Sequence, residues 1–230
     1  MSILQDKPYV RQVPSHWKCL DWTPEVLAEI LNDTKLTGRI ASNSHDILDE
    51  NGCDKVSAPL SAFLDMKKIW YCSYLRMSDM SIDPVQWSDI GLTDTGGDAC
   101  LWVGSSGSGT ALHRDSYGWN CVCQLHGRKL WKLAPMRTTD ILSTRVPFEE
   151  STVWGRNYDI AQCADTLAFC LKPGDMLVIP PGWWHSVTSL DTSIAVNIWT
   201  SSPQTDNEAR EIEAATRIVS QICKESKLIR

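Results

Sequence analysis

The chain has 230 residues and a formal net charge of −6, and its lysines and arginines form no run long enough for a basic stripe. Nucleic acid is therefore not an expected partner, and the lack of any apolar run near about 18 residues argues against a membrane-spanning helix. Nine cysteines at irregular spacings, with a hydrophobic content of 43%, indicate a globular protein with buried thiols in a reducing compartment, so we expect it in the cytoplasm or the nucleus.

The chain up to about Ser78 is expected to be rich in helix, and residues 1–98 together form the predicted helical N-terminal part. Thr23 and Pro24 begin a helix, because threonine is a favoured N-cap residue and proline suits the first helical position. Apolar residues then follow at helical spacing: Val26, Leu27, Ile30 and Leu31. Pro59–Leu64 predicts a second short helix, and the aromatic, β-favouring Lys68–Leu75 predicts a strand.

Residues 99–200 are predicted to be a succession of short strands separated by turn residues. Pro135–Gln162 interrupts them as a long loop with few periodic signals. Short strands at this spacing are typical of a sandwich or barrel rather than of a fold with alternating strands and helices. The predicted strands are Cys100–Gly104, Thr110–Asp115, Asn120–His126, Lys129–Leu133, Leu167–Leu171, Met176–Ile179, Trp183–Thr188 and Ser193–Trp199.

Residues 201–230 form the predicted C-terminal helix, with Asp206–Lys224 as its regular part. Apolar side chains recur there at helical spacing: Ile212, Ala215, Ile218, Val219 and Ile222. Two interpretations stand side by side. The helix packs on the β domain through this stripe, or it pairs with a second copy and makes a homodimer. We treat the three parts as a single domain over residues 1–230.

His113, Asp115 and the distant His185 form the pattern that says most about function. Residues two apart on a strand face the same side, so His113 and Asp115 can point together into the interior. His185, in the run PPGWWHSV, lies on a strand that can face them across a barrel. Two imidazoles and one carboxylate on one face of a metal leave three positions open, as in non-haem iron(II) oxygenases. A structural metal site would be closed by four protein ligands.

Five segments near these residues carry a family resemblance: QWSDIGL, LWVGS, HRDSYG, QLHGRKLWKLAP and TRVPFEESTV. The sequence resembles the JmjC (cupin-like) 2-oxoglutarate oxygenases, most of all their small hydroxylase branch. Likeness is high from Val85 to Trp199, whereas the segment before Trp17 looks shorter than the family's opening strand region and Asn157–Thr166 is hard to match. The resemblance implies a mainly β fold, a double-stranded β-helix (cupin or jelly-roll) barrel with flanking N-terminal and C-terminal helices.

The resemblance also implies roles for individual residues. His113, Asp115 and His185 match the family's iron(II) ligands. The residues that match its cosubstrate pocket are Thr110, Asn120, Lys129, Asn197 and Tyr74. Within that set, Thr110 and Lys129 match the groups that bind the distal carboxylate of 2-oxoglutarate, and Tyr71 competes with Tyr74 for the tyrosine position.

Physical chemistry supports two of these matches independently of the family. A buried dicarboxylate needs a cation at its far end, and strand alternation can turn Lys129 inward together with Trp131, although its neighbour Arg128 is an alternative cation. An asparagine in the apolar run AVNIW would cost about 1–3 kcal/mol if buried without partners, which favours a pocket role for Asn197. Four tryptophans are candidates for a water-excluding wall: Trp119, Trp131, Trp183 and Trp184.

These observations predict a dioxygenase dependent on Fe(II), 2-oxoglutarate and dioxygen, with a protein side chain as the hydroxylated substrate. Demethylation of methyl-lysine and hydroxylation of tRNA are further reactions of the family, and the acidic composition argues against the second. A non-catalytic scaffold is the main alternative, since the branch includes a protein associated with small heat-shock proteins, which makes such a protein a candidate partner. A cupin with isomerase or storage function is a third hypothesis. Substrate choice is expected to depend on Pro135–Gln162.

Overall fold

Two antiparallel β-sheets form the body of the protein. The structure is a computed structural model, which describes residues 4–48, 53–80, 82, 85–93, 99–136, 138, 152–155, 160, 163, 165–200 and 203–225. The larger sheet has eight strands, which in sheet order are β1 (Tyr9–Gln12), β11 (Asp175–Ile179), β7 (Trp119–His126), β13 (Ser193–Thr200), β5 (Cys100–Gly104), β4 (Ile69–Arg76), β2 (Lys35–Ala41) and β3 (Asp54–Pro59). The smaller sheet has five, in the order β10 (Leu167–Leu171), β8 (Lys129–Ala134), β12 (Trp184–Ser189), β6 (Gly109–Asp115) and β9 (Thr152–Trp154). Strands β11, β7, β13 and β5 lie in one sheet and β10, β8, β12 and β6 in the other, which is a jelly-roll arrangement.

The strands of the central region agree closely with the predicted ones. Their bounds are β5 Cys100–Gly104, β6 Gly109–Asp115, β7 Trp119–His126, β8 Lys129–Ala134, β10 Leu167–Leu171, β11 Asp175–Ile179, β12 Trp184–Ser189 and β13 Ser193–Thr200. The prediction of a mainly β, cupin-type fold is therefore confirmed. Over the described residues, however, the two sheets stay separate in their hydrogen bonding, so the strands form a sandwich and not a closed barrel.

The N-terminal part contains more strand than predicted. Its strands are β1 Tyr9–Gln12, β2 Lys35–Ala41, β3 Asp54–Pro59 and β4 Ile69–Arg76. The expectation of a helix-rich stretch up to Ser78 was therefore wrong. Strands β2 and β3 are short and rich in polar residues, and their pairing with each other and, for β2, with β4 joins them to the sheet. A strand also precedes Trp17, because β1 pairs with β11.

The predicted helices of this part are present. Helix α1 spans Pro24–Leu31, and the Thr23 hydroxyl caps it by accepting a hydrogen bond from the Val26 N–H at 3.2 Å. Helix α2 spans Leu60–Leu64. Both helices pack on the main hydrophobic core, which is centred on the larger sheet and includes Leu27 and Phe63 as fully buried side chains.

The C-terminal helix α3 spans Pro203–Glu225, and it presents its polar face to the protein. Asp206 and Glu213, seven residues apart and so on one face, are buried, and the Asp206 carboxylate accepts a hydrogen bond from the Gly118 N–H at 2.8 Å. The apolar stripe is exposed at Ile212, Ile218, Val219 and Ile222. The helix therefore packs on the β domain, as one of the two interpretations predicts, but through its polar face and not through this stripe. Within the described residues, the structure has no helix that is both long and apolar enough to span a membrane.

Most of the predicted loop Pro135–Gln162, and part of Asn157–Thr166, lie outside the described residues. Strand β9, Thr152–Trp154, falls within the predicted loop and pairs with β6. This pairing places Trp154 opposite His113, with ring centroids 5.2 Å apart. The segment predicted as an irregular loop therefore contributes one strand to the smaller sheet.

Candidate metal and cosubstrate site

His113, Asp115 and His185 meet on one face of the smaller sheet. Strand β12 lies directly beside β6, so His185 is the cross-strand partner of His113 rather than facing it across a barrel, as the sequence suggested. Asp115 follows two residues along β6 and shares that face. The His113 Nε2 atom lies 3.8 Å from Asp115 Oδ1, and His185 Nε2 lies 3.9 Å from Asp115 Oδ2. One ligand atom from each residue lies within 4.8 Å of the other two.

Backbone carbonyls fix the orientation of both imidazoles. The Nδ1 atom of His113 lies 2.8 Å from the Ala111 carbonyl oxygen, and that of His185 lies 3.0 Å from the Trp183 carbonyl oxygen. Since Nδ1–H is the donor in such a contact, the lone pair of each Nε2 is left facing the carboxylate. Burial, reinforced by the adjacent His185, lowers the pKa of His113 to about 4. A buried neutral imidazole is the form that binds a metal.

Asp115 remains the anionic member of the cluster. Burial favours its neutral form, but the two histidines and two donated hydrogen bonds outweigh burial and lower the pKa of its carboxyl. The donors are the Trp199 indole N–H at 3.0 Å and the Asn120 side-chain amide at 2.9 Å, both to Oδ2. Two imidazoles and one carboxylate are a donor set that suits Fe(II) and leaves positions free for other ligands.

A chain of side-chain amides runs from the larger sheet to Asp115. The Trp102 indole N–H donates to Asn197 Oδ1 at 2.7 Å, and Asn197 Nδ2 donates to Asn120 Oδ1 at 2.9 Å. The chain ends at the side-chain amide of Asn120, whose Nδ2 donates a hydrogen bond to the Asp115 carboxylate. Asn197 is only 1% exposed, so these bonds satisfy an otherwise costly buried amide. Asn120 and Asn197 therefore position the candidate metal ligand Asp115 as well as lining the cavity.

Lys129 is buried at the opposite end of the cavity. It is 2% exposed, and its Nζ atom lies 5.2 Å from the centre of the Tyr71 ring. The Thr110 hydroxyl lies next to the same tyrosine and donates to Tyr71 Oη in a long hydrogen bond of 3.5 Å. Burial lowers the pKa of the Lys129 ammonium to about 7. The alternative cation, Arg128, points to the surface and pairs with Asp191 at 2.7 Å.

Two β-bulges bring residues of unexpected spacing to the same face. The pairing of β6 with β12 shifts between Thr110 and His113, so both side chains reach the cavity although they are three residues apart. The pairing of β4 with β5 shifts between Cys72 and Leu75, and there Tyr74 adopts a φ of 55°. As a result both Tyr71 and Tyr74 line the cavity.

The two tyrosines occupy different depths. Tyr71 is 2% exposed and lies against Thr110 and Lys129, whereas Tyr74 is 40% exposed at the mouth. The Tyr74 ring lies 4.5 Å from Trp102 and stacks at 6.4 Å on Trp199. Both tryptophans line the cavity, and the sequence interpretation gave neither of them a site role. The buried indole N–H, which needs an acceptor, is the signal that could have found them.

One cavity contains all of the residues that the sequence singled out for the site. Its lining includes His113, Asp115, His185, Thr110, Lys129, Asn120, Asn197 and Tyr74. The suggested tryptophan wall is only partly right, because Trp131 lines the cavity while Trp184 packs in a separate core cluster with Leu112. Trp119 and Trp183 pack against the core from partly buried positions outside the lining. The remaining apolar lining comes from Val122, Val187 and Ala195.

Comparison with known proteins agrees with this fold. A family model described as a cupin-like domain matches residues 54–206. Human HSPB1-associated protein 1 is 32% identical over 256 residues, which span 95% of this chain and 52% of that protein. The zebrafish (Danio rerio) homologue is 32% identical over 257 residues, spanning 95% of this chain and 57% of its own length. The chain thus spans about half the length of the curated relatives it matches.

Two further similarities are more distant. Lysine-specific demethylase JMJ30 of Arabidopsis thaliana is 32% identical over 112 residues, covering 44% of this chain and 25% of that protein. The X-ray structure of E. coli ycfD superposes with a TM-score of 0.54 at 16% identity, covering 86% of this chain and 50% of that one, which is a likeness of fold. The chain therefore belongs to the cupin-like JmjC family, and it carries a three-residue cluster that could hold a metal ion.

Proposed function

We propose that the protein is an Fe(II)- and 2-oxoglutarate-dependent dioxygenase that hydroxylates a protein side chain. The observation that carries this proposal is the pairing, in one cavity, of an open-sided His113–Asp115–His185 cluster with a buried lysine. A metal centre alone would not need Lys129, whose burial costs free energy unless an anion compensates it. A dicarboxylate that reaches from the metal to Lys129 accounts for both ends of the cavity.

Each residue then has a definite part. His113, Asp115 and His185 would hold the metal, and Lys129 with the Thr110 hydroxyl would bind the distal carboxylate through charge-assisted hydrogen bonds. When bound, iron and 2-oxoglutarate supply the oxidising chemistry, in which dioxygen is consumed and the cosubstrate is converted to succinate and carbon dioxide. The amide chain through Asn120 holds the Asp115 carboxylate in one orientation. Trp131 and the aliphatic lining exclude water from the reacting centre.

Geometry supports Tyr71, rather than Tyr74, as the tyrosine that contacts the cosubstrate. Tyr71 lies beside the two groups assigned to the distal carboxylate, Thr110 and Lys129. Tyr74 is half-exposed and stacks with tryptophans at the mouth, where an incoming substrate would meet it. We therefore assign Tyr71 to the cosubstrate and Tyr74 to the entrance.

The decisive experiment follows succinate release. The protein is loaded with Fe(II) under anaerobic conditions, mixed with 2-oxoglutarate and then exposed to air. Succinate formation above that of the His113→Ala variant is the expected result. In parallel, 2-oxoglutarate binding is measured for the manganese-loaded wild type, His113→Ala and Lys129→Ala. Equal binding by all three proteins would rule out the proposed site.

The names of the relatives favour a second function, association with a small heat-shock protein. Two of the relatives above are named for association with HSPB1. We propose that this chain also binds a small heat-shock protein, either as substrate or as a scaffold without turnover. Pull-down with a purified small heat-shock protein, followed by mass spectrometry for an added oxygen, separates the two roles. Binding with no oxygen added, together with no succinate, would favour the scaffold.

The exposed apolar stripe of α3 supports a homodimer. Because Asp206 and Glu213 hold the polar face of the helix against the protein, Ile218 and Ile222 are left at the surface, 61% and 57% exposed. A second copy of the helix would cover them. The double variant Ile218→Glu/Ile222→Glu is expected to shift the mass measured by light scattering from dimer to monomer. Val26→Glu/Ile30→Glu, two exposed apolar positions on α1, is the matched control.

A further inference from the structure

A cleft separates two neighbouring strands of the larger sheet. Strands β2 and β4 pair only where Arg39–Ala41 meets Ile69–Tyr71. Beyond that point β2 continues to pair with β3 as far as Lys35, and β4 continues to pair with β5 as far as Arg76. In the part of the chain that the structure describes, the two strands are therefore joined at one end and apart at the other. A cavity of about 440 Å³ lies between them.

The bulge in β4 coincides with the start of this cleft. Ser73 and Tyr74 together lie opposite Trp102, and the strand pairing resumes one residue out of step at Leu75. In an antiparallel strand, alternate residues direct their N–H and C=O groups to each side, so part of the backbone of Lys35–Gly38 points away from β3. These groups face the cleft, whose walls are Lys35–Arg39 and Ser73–Arg76. An extended peptide is the ligand that matches such a strand edge.

The charges around the cleft indicate the chemistry of that peptide. Lys35, Lys55 and Arg76 line it with exposed side chains, whereas Asp79 is the one acidic lining residue among those that the structure describes. A fourth cation, Arg39, is buried beneath and donates to the carbonyls of Ile47 and Gly109. The cleft is therefore basic on a protein whose net charge is −6. Charge complementarity favours an acidic partner.

The cleft adjoins the metal cavity. Tyr71 and Tyr74 line both, so the two spaces lie on either side of these rings. A segment bound in the cleft would pass the half-exposed Tyr74 at the mouth of the site.

We propose that this cleft binds an extended, acidic segment of the protein substrate as an added strand between β2 and β4, and so presents a neighbouring residue to the metal cavity. This inference rests on the proposed function. A peptide fits better than RNA, because three exposed cations around one short cleft do not form the long basic track that a nucleic-acid backbone needs, and because a strand edge recognises peptide backbone.

Binding of a designed peptide tests this inference. The probe is a fluorescein-labelled peptide of about twelve residues in which glutamate alternates with valine, and fluorescence anisotropy is read on the manganese- and 2-oxoglutarate-loaded protein. We expect Lys35→Glu/Arg76→Glu to weaken binding by about tenfold or more, since two attractions become repulsions. Lys172→Glu, at an exposed lysine on a turn outside the cleft, is the matched control and should bind as the wild type does.

Three further probes separate the explanations. A peptide with N-methyl groups on alternate residues cannot pair with a strand edge and should fail to bind. A peptide with lysine in place of glutamate should also fail, and an oligouridine of similar length should bind more weakly than the acidic peptide. The proposal is overturned if the acidic peptide does not bind, if any of these three probes equals it, or if Lys172→Glu weakens binding as much as the cleft variant.

The same samples distinguish this inference from the proposed function. Binding of 2-oxoglutarate is measured for each variant beside the peptide titration. Wild-type protein that binds 2-oxoglutarate but not the peptide would overturn the cleft alone. Wild-type protein that fails to bind 2-oxoglutarate in the presence of manganese would overturn the proposed function.

Discussion

The two sheets contribute different chemistry to the walls of one cavity. The smaller sheet supplies the candidate metal ligands His113, Asp115 and His185 and the cation Lys129, from β6, β12 and β8. The larger sheet supplies neutral amides and aromatic rings from β4, β5, β7 and β13: Tyr71, Tyr74, Trp102, Asn120, Asn197 and Trp199. The smaller sheet thus provides the charged and metal-binding candidates. The larger sheet provides the hydrogen bonds that orient them and the rings that line the rest of the cavity.

This division explains how the buried carboxylate of Asp115 is held in one orientation. Asp115, on the smaller sheet, receives hydrogen bonds from Trp199 and Asn120, both on the larger sheet. The carboxylate is therefore oriented from across the sandwich, and its position depends on how the two sheets pack. We expect substitutions on the smaller sheet to weaken metal or 2-oxoglutarate binding more than substitutions on the larger sheet do.

Removing a metal ligand should have the largest effect. His185→Ala leaves two ligands in a site that has three, so Mn(II) affinity should fall by more than about 100-fold, and succinate release should fall to background. Metal binding is followed by titration calorimetry. His45→Ala, at an exposed histidine, is the matched control and should bind Mn(II) like the wild type. If His185→Ala bound Mn(II) as tightly as the wild type does, the assignment of the metal ligands to the smaller sheet would be wrong.

Replacing the buried cation should separate binding from stability. Lys129→Met keeps the length of the side chain and removes the charge, so 2-oxoglutarate affinity should fall by about 10- to 100-fold, equivalent to about 1.4–2.8 kcal/mol. Because a buried charge without its anion is destabilising, the free energy of unfolding of the ligand-free protein should rise by about 1–2 kcal/mol. Calorimetry and thermal melting measure the two effects. Arg128→Met, at the surface neighbour, should change neither by a comparable amount.

Breaking the amide chain on the larger sheet should have an intermediate effect. Asn197→Ala removes the acceptor of the Trp102 indole and the donor to Asn120, and so loosens the orientation of Asp115. Mn(II) affinity should fall by about tenfold, with unfolding easier by about 1–3 kcal/mol because buried groups lose their partners. A metal affinity as low as that of His185→Ala would mean that the two walls are not distinct in role.

The pH dependence of 2-oxoglutarate binding should follow Lys129. In the free protein the pKa of its ammonium is lowered by burial to about 7, and a bound carboxylate would raise that pKa again. Binding therefore takes up a proton above pH 7, so affinity should be full below about pH 7 and fall by nearly tenfold per pH unit well above it. Calorimetry in two buffers of different ionisation enthalpy measures the proton uptake. Lys129→Met should show neither the slope nor the uptake.

The smallest effect should distinguish the two tyrosines. Tyr71→Phe removes a hydroxyl beside Thr110, so 2-oxoglutarate affinity should fall by about three- to tenfold. Tyr74→Phe, at the exposed mouth, should leave that affinity within about twofold. The reverse pattern, measured by the same titration, would return the cosubstrate role to Tyr74.

The sequence predicted which side chains line one cavity better than it predicted the N-terminal fold. His113 and Asp115 lie on one face of their strand, as the alternation of side chains along a strand predicts. The same alternation predicts that Lys129 points inward and its neighbour Arg128 outward, as observed. Strands β1, β2 and β3 were not predicted, because each is short and is held in the sheet by partners elsewhere in the chain. The orientation of α3 could not be predicted either, because an apolar stripe on a helix does not determine whether that face packs on the protein or lies at the surface.

Residue order alone determined which groups could bind a metal and a dicarboxylate, because the alternation of a strand and the chemistry of histidine, aspartate and lysine are local properties. Only the tertiary structure decided that β12 lies beside β6, that two bulges bring Thr110 and Tyr74 to the cavity, and that Trp102 reaches Asp115 through two asparagines. The physical reason is that bulges and sheet-to-sheet hydrogen bonds depend on which strands become neighbours. That choice is made by long-range packing.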